Sequence, residues 1–212
     1  MHDLAEGVAR FRQDVFPAKA GLFARLATEH RPHTLFIGCS DARVVPELIL
    51  GCEPGELFVV RTAGNLVPAH APGTDGVAAS IEYAVAVLGV SRIVVCGHSA
   101  CGAMTALAEG HDLAAAPAVA EWLRHADAAS ARAAGDGDGD GDGGTSVLVR
   151  ENVHAQLANL ATHPSVARAL ARNTVTLHGW VFDIATGRVT DVHSDLHSDV
   201  HSDVHSDAFA DA

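Results

Sequence analysis

Apolar residues recur at helical spacing across residues 7–28: Val8, Phe11, Val15 and Phe16, then Leu22, Phe23 and Leu26. The rhythm predicts two amphipathic helices broken near Pro17, whose ring removes a backbone donor and crowds the preceding turn. After them the pattern shortens. Residues 34–38, 57–61 and 92–97 are compact apolar runs, the third rich in β-branched side chains, and they predict buried strands. Residues 76–88 have the pattern of a buried helix, and 121–132 and 151–171 read as further helices. Residues 174–182 predict a fourth strand, followed by a turn at Thr186-Gly187 and a partner strand over 188–192. Strands alternating with helices predict an α/β fold: a mostly parallel central β-sheet flanked by helices, in a single domain covering 1–190. Ligands gather beyond the carboxyl ends of such sheets. Two of the runs end there in Gly38-Cys39 and Gly97-His98.

Two segments have no such periodicity. Residues 135–144 (GDGDGDGDGG) bury no apolar surface and predict a flexible loop inside the domain. Its alternating Asp is similar to a calcium loop, but the twelfth position is Val147, where a bidentate Glu is needed. Residues 191–212 repeat His-Ser-Asp every four residues, at His193, His197, His201 and His205. They predict a disordered acidic tail, or a weak accessory site for Zn, Ni or Cu. The chain of 212 residues is 48% hydrophobic, enough for one sizeable core. Its formal charge of −12, concentrated in these two segments, argues against nucleic acid or an anionic membrane as partner. Residues 1–12 lack the pattern of a signal peptide, and no apolar run is long enough to span a bilayer. With no export signal, the four cysteines read as thiols or metal ligands, and the cytoplasm is the expected location.

Chemistry concentrates in two motifs. Cys39-Ser40-Asp41-Ala42-Arg43 follows the first strand. Alone it is compatible with a small buried thiol and a structural Asp/Arg ion pair. Gly97-His98-Ser99-Ala100-Cys101-Gly102 follows the third, with His98 and Cys101 spaced to chelate one ion from a loop entering a helix. Together the two loops supply two thiolates and one imidazole. Three protein ligands with a fourth position open is the arrangement of a catalytic zinc site, whereas a structural site closes its shell with a fourth Cys or His. Cys52, in a turn, and Cys96, within a strand, are expected to be spectators.

The segments LFIGCSDARVVPELI, GELFVVRTAGNLV, SIEYAV and VVCGHSACGAM resemble successive signature stretches of the β-class carbonic anhydrases. GWVFDIATGRV resembles that family's closing hairpin. The resemblance implies a zinc-dependent lyase that interconverts CO2 and bicarbonate, with one Zn2+ per chain on Cys39, His98 and Cys101. It further implies Asp41 and Arg43 as a catalytic pair. In the family's active form the arginine holds the aspartate off the metal, and in an inactive form the aspartate ligates it. Zinc lowers the pKa of bound water to about 7 and so provides a hydroxide nucleophile near neutrality. The implied substrate pocket comprises His30, Phe58, Ala63, Gly64, Tyr83 and Gly102, with walls from two subunits. The N-terminal helices are then expected to pack on a partner in a homodimer or homotetramer. Three positions depart from the family pattern: His30 stands for the usual Gln, Ala63 for a bulkier Val, and Phe36 for a Trp. The Trp marks a bicarbonate-inhibited subgroup, so Phe36 favours the subgroup lacking that inhibitory site.

Other readings compete. Gly97-x-Ser99-x-Cys101 is one residue from a serine-hydrolase elbow, which needs Gly where Cys101 stands. A thiol hydrolase using Cys101 with His98, and a metal-storage protein suggested by the His-rich tail, are the alternatives outside this chemistry. Within it, some β-class relatives hydrolyse CS2 or COS on the same zinc site.

Overall fold

The strands are built from the short apolar runs. In the computed structural model they are β1 (Thr34–Cys39), β2 (Leu57–Thr62), β3 (Arg92–His98), β4 (Thr176–Phe182) and β5 (Val189–Asp191). The structure describes residues 3–73, 75–135 and 142–192. The five strands form one sheet in the order β2-β1-β3-β4-β5. The first four are parallel, and β5 returns antiparallel to β4. This is the expected mostly parallel α/β sheet, with β1 and β3 buried at its centre.

Side chains alternate across that centre, as strand geometry requires. Leu35, Ile37, Ile93 and Val95 pack with Val153, Leu157 and Leu160 of the long helix and with Ile81 and Val166. Each fully buried side chain of this size contributes about 1.5–3 kcal/mol. Phe36, Val94 and Cys96 lie on the other face, against Leu50, Val59, Trp180 and Phe182.

The helices are α1 (Leu4–Arg10), α2 (Phe16–Leu26), α3 (Pro46–Leu50), α4 (Gly76–Glu82), α5 (Gly102–Ala108), α6 (Pro117–Leu123), α7 (Asp127–Gly135), α8 (Asp142–Thr162) and α9 (Pro164–Ala171). Several differ from the expected spans. Residues 151–171 are not one helix. Pro164 has no N–H to continue the ladder, so α8 stops, His163 turns extended and α9 begins afresh. Residues 121–132 are likewise α6 and α7 joined by a 3-10 turn, Arg124–Ala126. Short α3 carries too little periodicity to be predicted, whereas α5 is the helix expected directly behind Cys101.

The chain divides between Arg31 and Pro32 into two compact units. In the first, the expected break at Pro17 does not occur. A π-helical turn, Phe11–Val15, joins α1 to α2, and the Phe16 N–H reaches back five residues to the Phe11 carbonyl. This widened turn places Pro17 in the opening turn of α2, where a missing donor costs nothing. Phe11, Phe16 and Phe23 form their own aromatic cluster in this unit, with ring centroids 5.4–6.1 Å apart. Within the expected loop at 135–144, Gly135 closes α7 and α8 starts at Asp142. Residues 136–141, like the His-Ser-Asp repeats from 193 onward, lie outside the described residues.

The parallel register brings the carboxyl ends together. Gly38 pairs with Cys96 across β1–β3, and Cys39 with Thr62 across β1–β2, so the β1 and β3 loops emerge side by side. Gly97 makes this closeness possible. A Cβ there would lie 3.0 Å from Val149 Cγ1 and Val153 Cγ2, so α8 can sit against the backbone directly before His98.

Candidate metal centre

Cys39 is the last residue of β1 and His98 the last of β3, while Cys101 caps the amino end of α5. All three are buried, at 6%, 0% and 1% exposure. One ligand atom from each lies within 4.8 Å of the others, the only such group of three among the described residues. The ring of His98 is oriented by its own loop. Nδ1 sits 2.9 Å from the Ser99 carbonyl, which fixes the proton on Nδ1 and leaves the Nε2 lone pair facing inward. Nε2 is buried with no protein partner. A buried lone pair without a donor is costly unless something else binds it, and a divalent ion between it and two thiols is what that donor set fits.

One of the two thiols is already biased towards the thiolate. The Cys101 thiol donates to Cys39, and this pulls Cys39 down to about 4 against the opposing effect of burial. The Asp41 and Gly64 amides add to the lowering. The same shared proton, with burial, pushes Cys101 up. A divalent cation held by Cys39, His98 and Cys101 would take the place of that proton, as metal binding to thiols does generally. Cys96 is different: burial pushes its thiol up to about 12, and it packs among Phe36 and Val94 on the other sheet face. Burial also raises Cys52.

Asp41 and Arg43 stand beside the three ligands. Arg43 Nε donates to Asp41 Oδ1 at 3.0 Å and Nη2 to Oδ2 at 2.6 Å, while the Arg43 amide donates to Oδ1 at 2.9 Å. These bonds hold the Asp41 carboxyl well below the usual carboxylate range. Nη2 also donates to the Ala100 carbonyl at 2.9 Å, tying the pair to the loop between His98 and Cys101. Ala100 has φ 53°, a left-handed conformation unusual for a side-chain-bearing residue, of the kind found where surrounding contacts over-determine a site. Those contacts are the Ser99 N–H to the Phe182 carbonyl and the Ile184 N–H to Ser99 Oγ, both 2.9 Å. Asp41 Oδ2 is 3.9 Å from His98 Nε2, so the carboxylate borders the centre while held by arginine.

The expected pocket residues separate into two groups. Ala63 and Gly64 lie in a turn at the end of β2, and Gly102 opens α5, directly after Cys101. Gly64 has φ 70°, and a Cβ there would come within 3.0 Å of Ala103 Cβ and 3.2 Å of Met104 Cε, so the turn presses on the first turn of α5. Phe58 and Tyr83 instead pack on each other, with ring centroids 6.0 Å apart. Phe58 pairs with Leu35, four register steps before the Cys39–Thr62 pair, or roughly 13 Å along the strand. They do not join the three ligands within one chain. His30 is exposed in the N-terminal unit.

Three residues of the site escaped the sequence reading. Arg61 reaches across from β2 and donates to the Cys39 carbonyl at 3.0 Å, the Val44 carbonyl at 2.8 Å and the Asp41 carbonyl. Trp122 Nε1 donates to the Ala63 carbonyl at 3.0 Å, and Asn152 Nδ2 to the Gly64 carbonyl at 2.9 Å. A signal existed for two of them. Arg61 is the one charge in an otherwise apolar strand, and Asn152, Gln156 and Asn159 form an amide stripe at helical spacing.

A parallel sheet whose strand ends offer two thiolates and an oriented imidazole, with a carboxylate–guanidinium pair alongside, defines a zinc-dependent enzyme. Comparison with known proteins specifies which. The carbonic anhydrase family model matches residues 34–189. A carbonic anhydrase of Pseudomonas aeruginosa is 56% identical over 189 residues, covering 89% of this chain and 86% of the relative. The solved β-carbonic anhydrase CcaA superimposes with a TM-score of 0.86 at 39% identity, covering 89% of this chain and 85% of that one. A tetrameric β-carbonic anhydrase of Sordaria macrospora gives 0.74 at 32% identity, with 89% and 92% covered. The chain belongs to the β-class carbonic anhydrases. Its reaction is the reversible hydration of CO2 to bicarbonate and a proton, with zinc as cofactor.

Proposed function

We propose that Cys39, His98 and Cys101 hold the zinc and that Asp41, positioned by Arg43, orients the attacking water. The observation that carries this reading is the buried, unpartnered Nε2 of His98 between two thiols. When bound, zinc supplies the Lewis acidity that brings the pKa of a water towards about 7. Asp41 Oδ2, which borders the centre, would accept a hydrogen of that water and so orient its lone pair towards CO2. The three bonds from Arg43 support the active form, in which the arginine would hold the carboxylate off the metal. Ala63, Gly64 and Gly102 form the near wall of the CO2 pocket, and His30, Phe58 and Tyr83 complete it across a subunit boundary.

That boundary implies a homodimer or homotetramer. The reading is supported by the tetrameric Sordaria relative and by exposed Leu4, Val8, Phe11, Val15 and Phe16 along the N-terminal unit. Residues 1–190 form the catalytic part, with the 191–212 repeats appended. Four unpaired cysteines suit a reducing compartment, so the cytoplasm is the proposed location. Among the described residues no helix is long and apolar enough to cross a membrane.

Stopped-flow CO2 hydration on zinc-quantified protein tests the assignment. Turnover should follow zinc content, fall on chelation, and drop at least ~100-fold in Cys39→Ala. Undiminished turnover in metal-free protein would overturn it.

A further inference from the structure

The Ala63–Asn65 turn touches both thiolate loops at once. It follows β2 immediately after Thr62, the register partner of Cys39, and the Thr62 carbonyl accepts the Ser40 N–H at 2.9 Å. Its Gly64 presses on Ala103 and Met104, in the first turn behind Cys101.

Two side chains hold it from behind. Trp122 of α6 takes the Ala63 carbonyl, and Asn152 of α8 takes the Gly64 carbonyl. Asn152 is itself fully buried and its orientation is dictated by a chain of amides. The Val67 N–H is an unambiguous donor, and it donates to Gln156 Oε1 at 2.8 Å. Gln156 Nε2 must then donate, and it does so to Asn152 Oδ1 at 2.9 Å and to the His125 carbonyl at 3.2 Å. Asn152 is left with only its NH2 to turn towards Gly64. Further along α8, Asn159 Nδ2 donates to the Val67 carbonyl at 2.8 Å. The same helix turn carries Val149 and Val153, which close on Gly97 directly before His98. One stretch of α8 thus abuts both the Gly64 turn and the backbone directly before His98.

We infer that Asn152, seconded by Trp122, is a positioning residue for the metal centre, fixing the Gly64 peptide and through it the spacing and hydrogen bonding of the Cys39 and Cys101 sulfurs. The inference rests on the reading of those residues as zinc ligands. Outer partners that orient a metal's ligands change metal affinity about 10–100-fold when removed.

Cobalt-substituted protein reads the sulfurs directly, through the thiolate-to-metal charge-transfer band. Asn152→Ala should shift that band and weaken zinc about 10-fold in a chelator competition. Thr162→Val removes the bond that the far end of α8 makes to the His70 N–H, outside the amide ladder, and should leave band and affinity at parental values. Trp122→Phe keeps an aromatic ring in this place and loses the donor to Ala63 together with part of the indole's packing. It carries the test by the same readouts if Asn152→Ala fails to fold, and it should move both in the same direction. A parental band and affinity in Asn152→Ala, or in Trp122→Phe where that variant stands in, would overturn the inference alone. A parental cobalt protein with no charge-transfer band would overturn the ligand assignment beneath it as well.

Discussion

Arg61 spends one side chain on three carbonyls, those of Cys39, Asp41 and Val44, and these span the loop that carries a ligand and the carboxylate. A guanidinium does this because its donors are fixed in a planar fork, and an ammonium cannot reproduce the geometry. Arg61→Lys should therefore behave much like Arg61→Gln. Both should lower kcat/KM by roughly 10–100-fold, as loss of an outer support does at metal sites. Steady-state CO2 hydration on zinc-loaded variants checks this, and a fully active Arg61→Lys would show the fork to be dispensable. At this scale the sequence was most legible where a residue type is rare. Thiols and an imidazole at strand ends announce metal chemistry by identity and spacing, whereas Asp41 with Arg43, compatible alone with a structural ion pair, takes its role only from the family resemblance. Trp122 was illegible, and the amide stripe of Asn152 marks a buried polar row without saying what it holds, because both act on main-chain carbonyls, which every residue has. Only the fold shows which carbonyls come within reach.

Among the elements, the strands were read within a residue or two, because a short apolar run between turn residues has one physical meaning in a buried sheet. Helices were less legible. Proline was read as a stop at residue 17 and passed over at 164, and the structure reverses both. What decides is the turn before it: a π-helical turn absorbs Pro17, whereas His163 goes extended. β4 carries a prediction of its own. Burial lowers the pKa of His178 below the ordinary 6.5, with Asp191 opposing and Arg92 adding to the shift. Below that value the unfolded chain takes up a proton before the native one, so stability falls as pH drops through the window. Urea midpoints measured about one unit above and one unit below 6.5 should differ less in His178→Gln than in the parent. An equal difference would show that His178 is not among the histidines that set the acid limb.

For the whole molecule, the separation of Phe58 and Tyr83 from the ligands within one chain has a direct test. If a second copy supplies them, co-expressed Cys39→Ala and Tyr83→Ala chains should rebuild intact sites in mixed assemblies. Random pairing across a two-fold interface gives about a quarter of the parental number of sites. Activity equal to the mean of the two variants measured apart would show that each chain builds its pocket alone. The sequence on its own could not distinguish these cases, since periodicity reports burial within a chain and says nothing of who covers the outside. A last consequence follows from the clasp between the Ser99 turn and the closing hairpin, where the Phe182 carbonyl and the Ile184 N–H meet Ser99. All three ligands have been translated once Cys101 is added, but Ile184 comes 83 residues later. At ribosomal speeds of about 5–20 residues per second, that leaves roughly 4–17 s in which the ligand loops lack their brace. A nascent chain stalled in this interval offers two unclasped thiols to oxidants and to stray soft cations, so the chain is most exposed to damage or mismetallation while it is still being made.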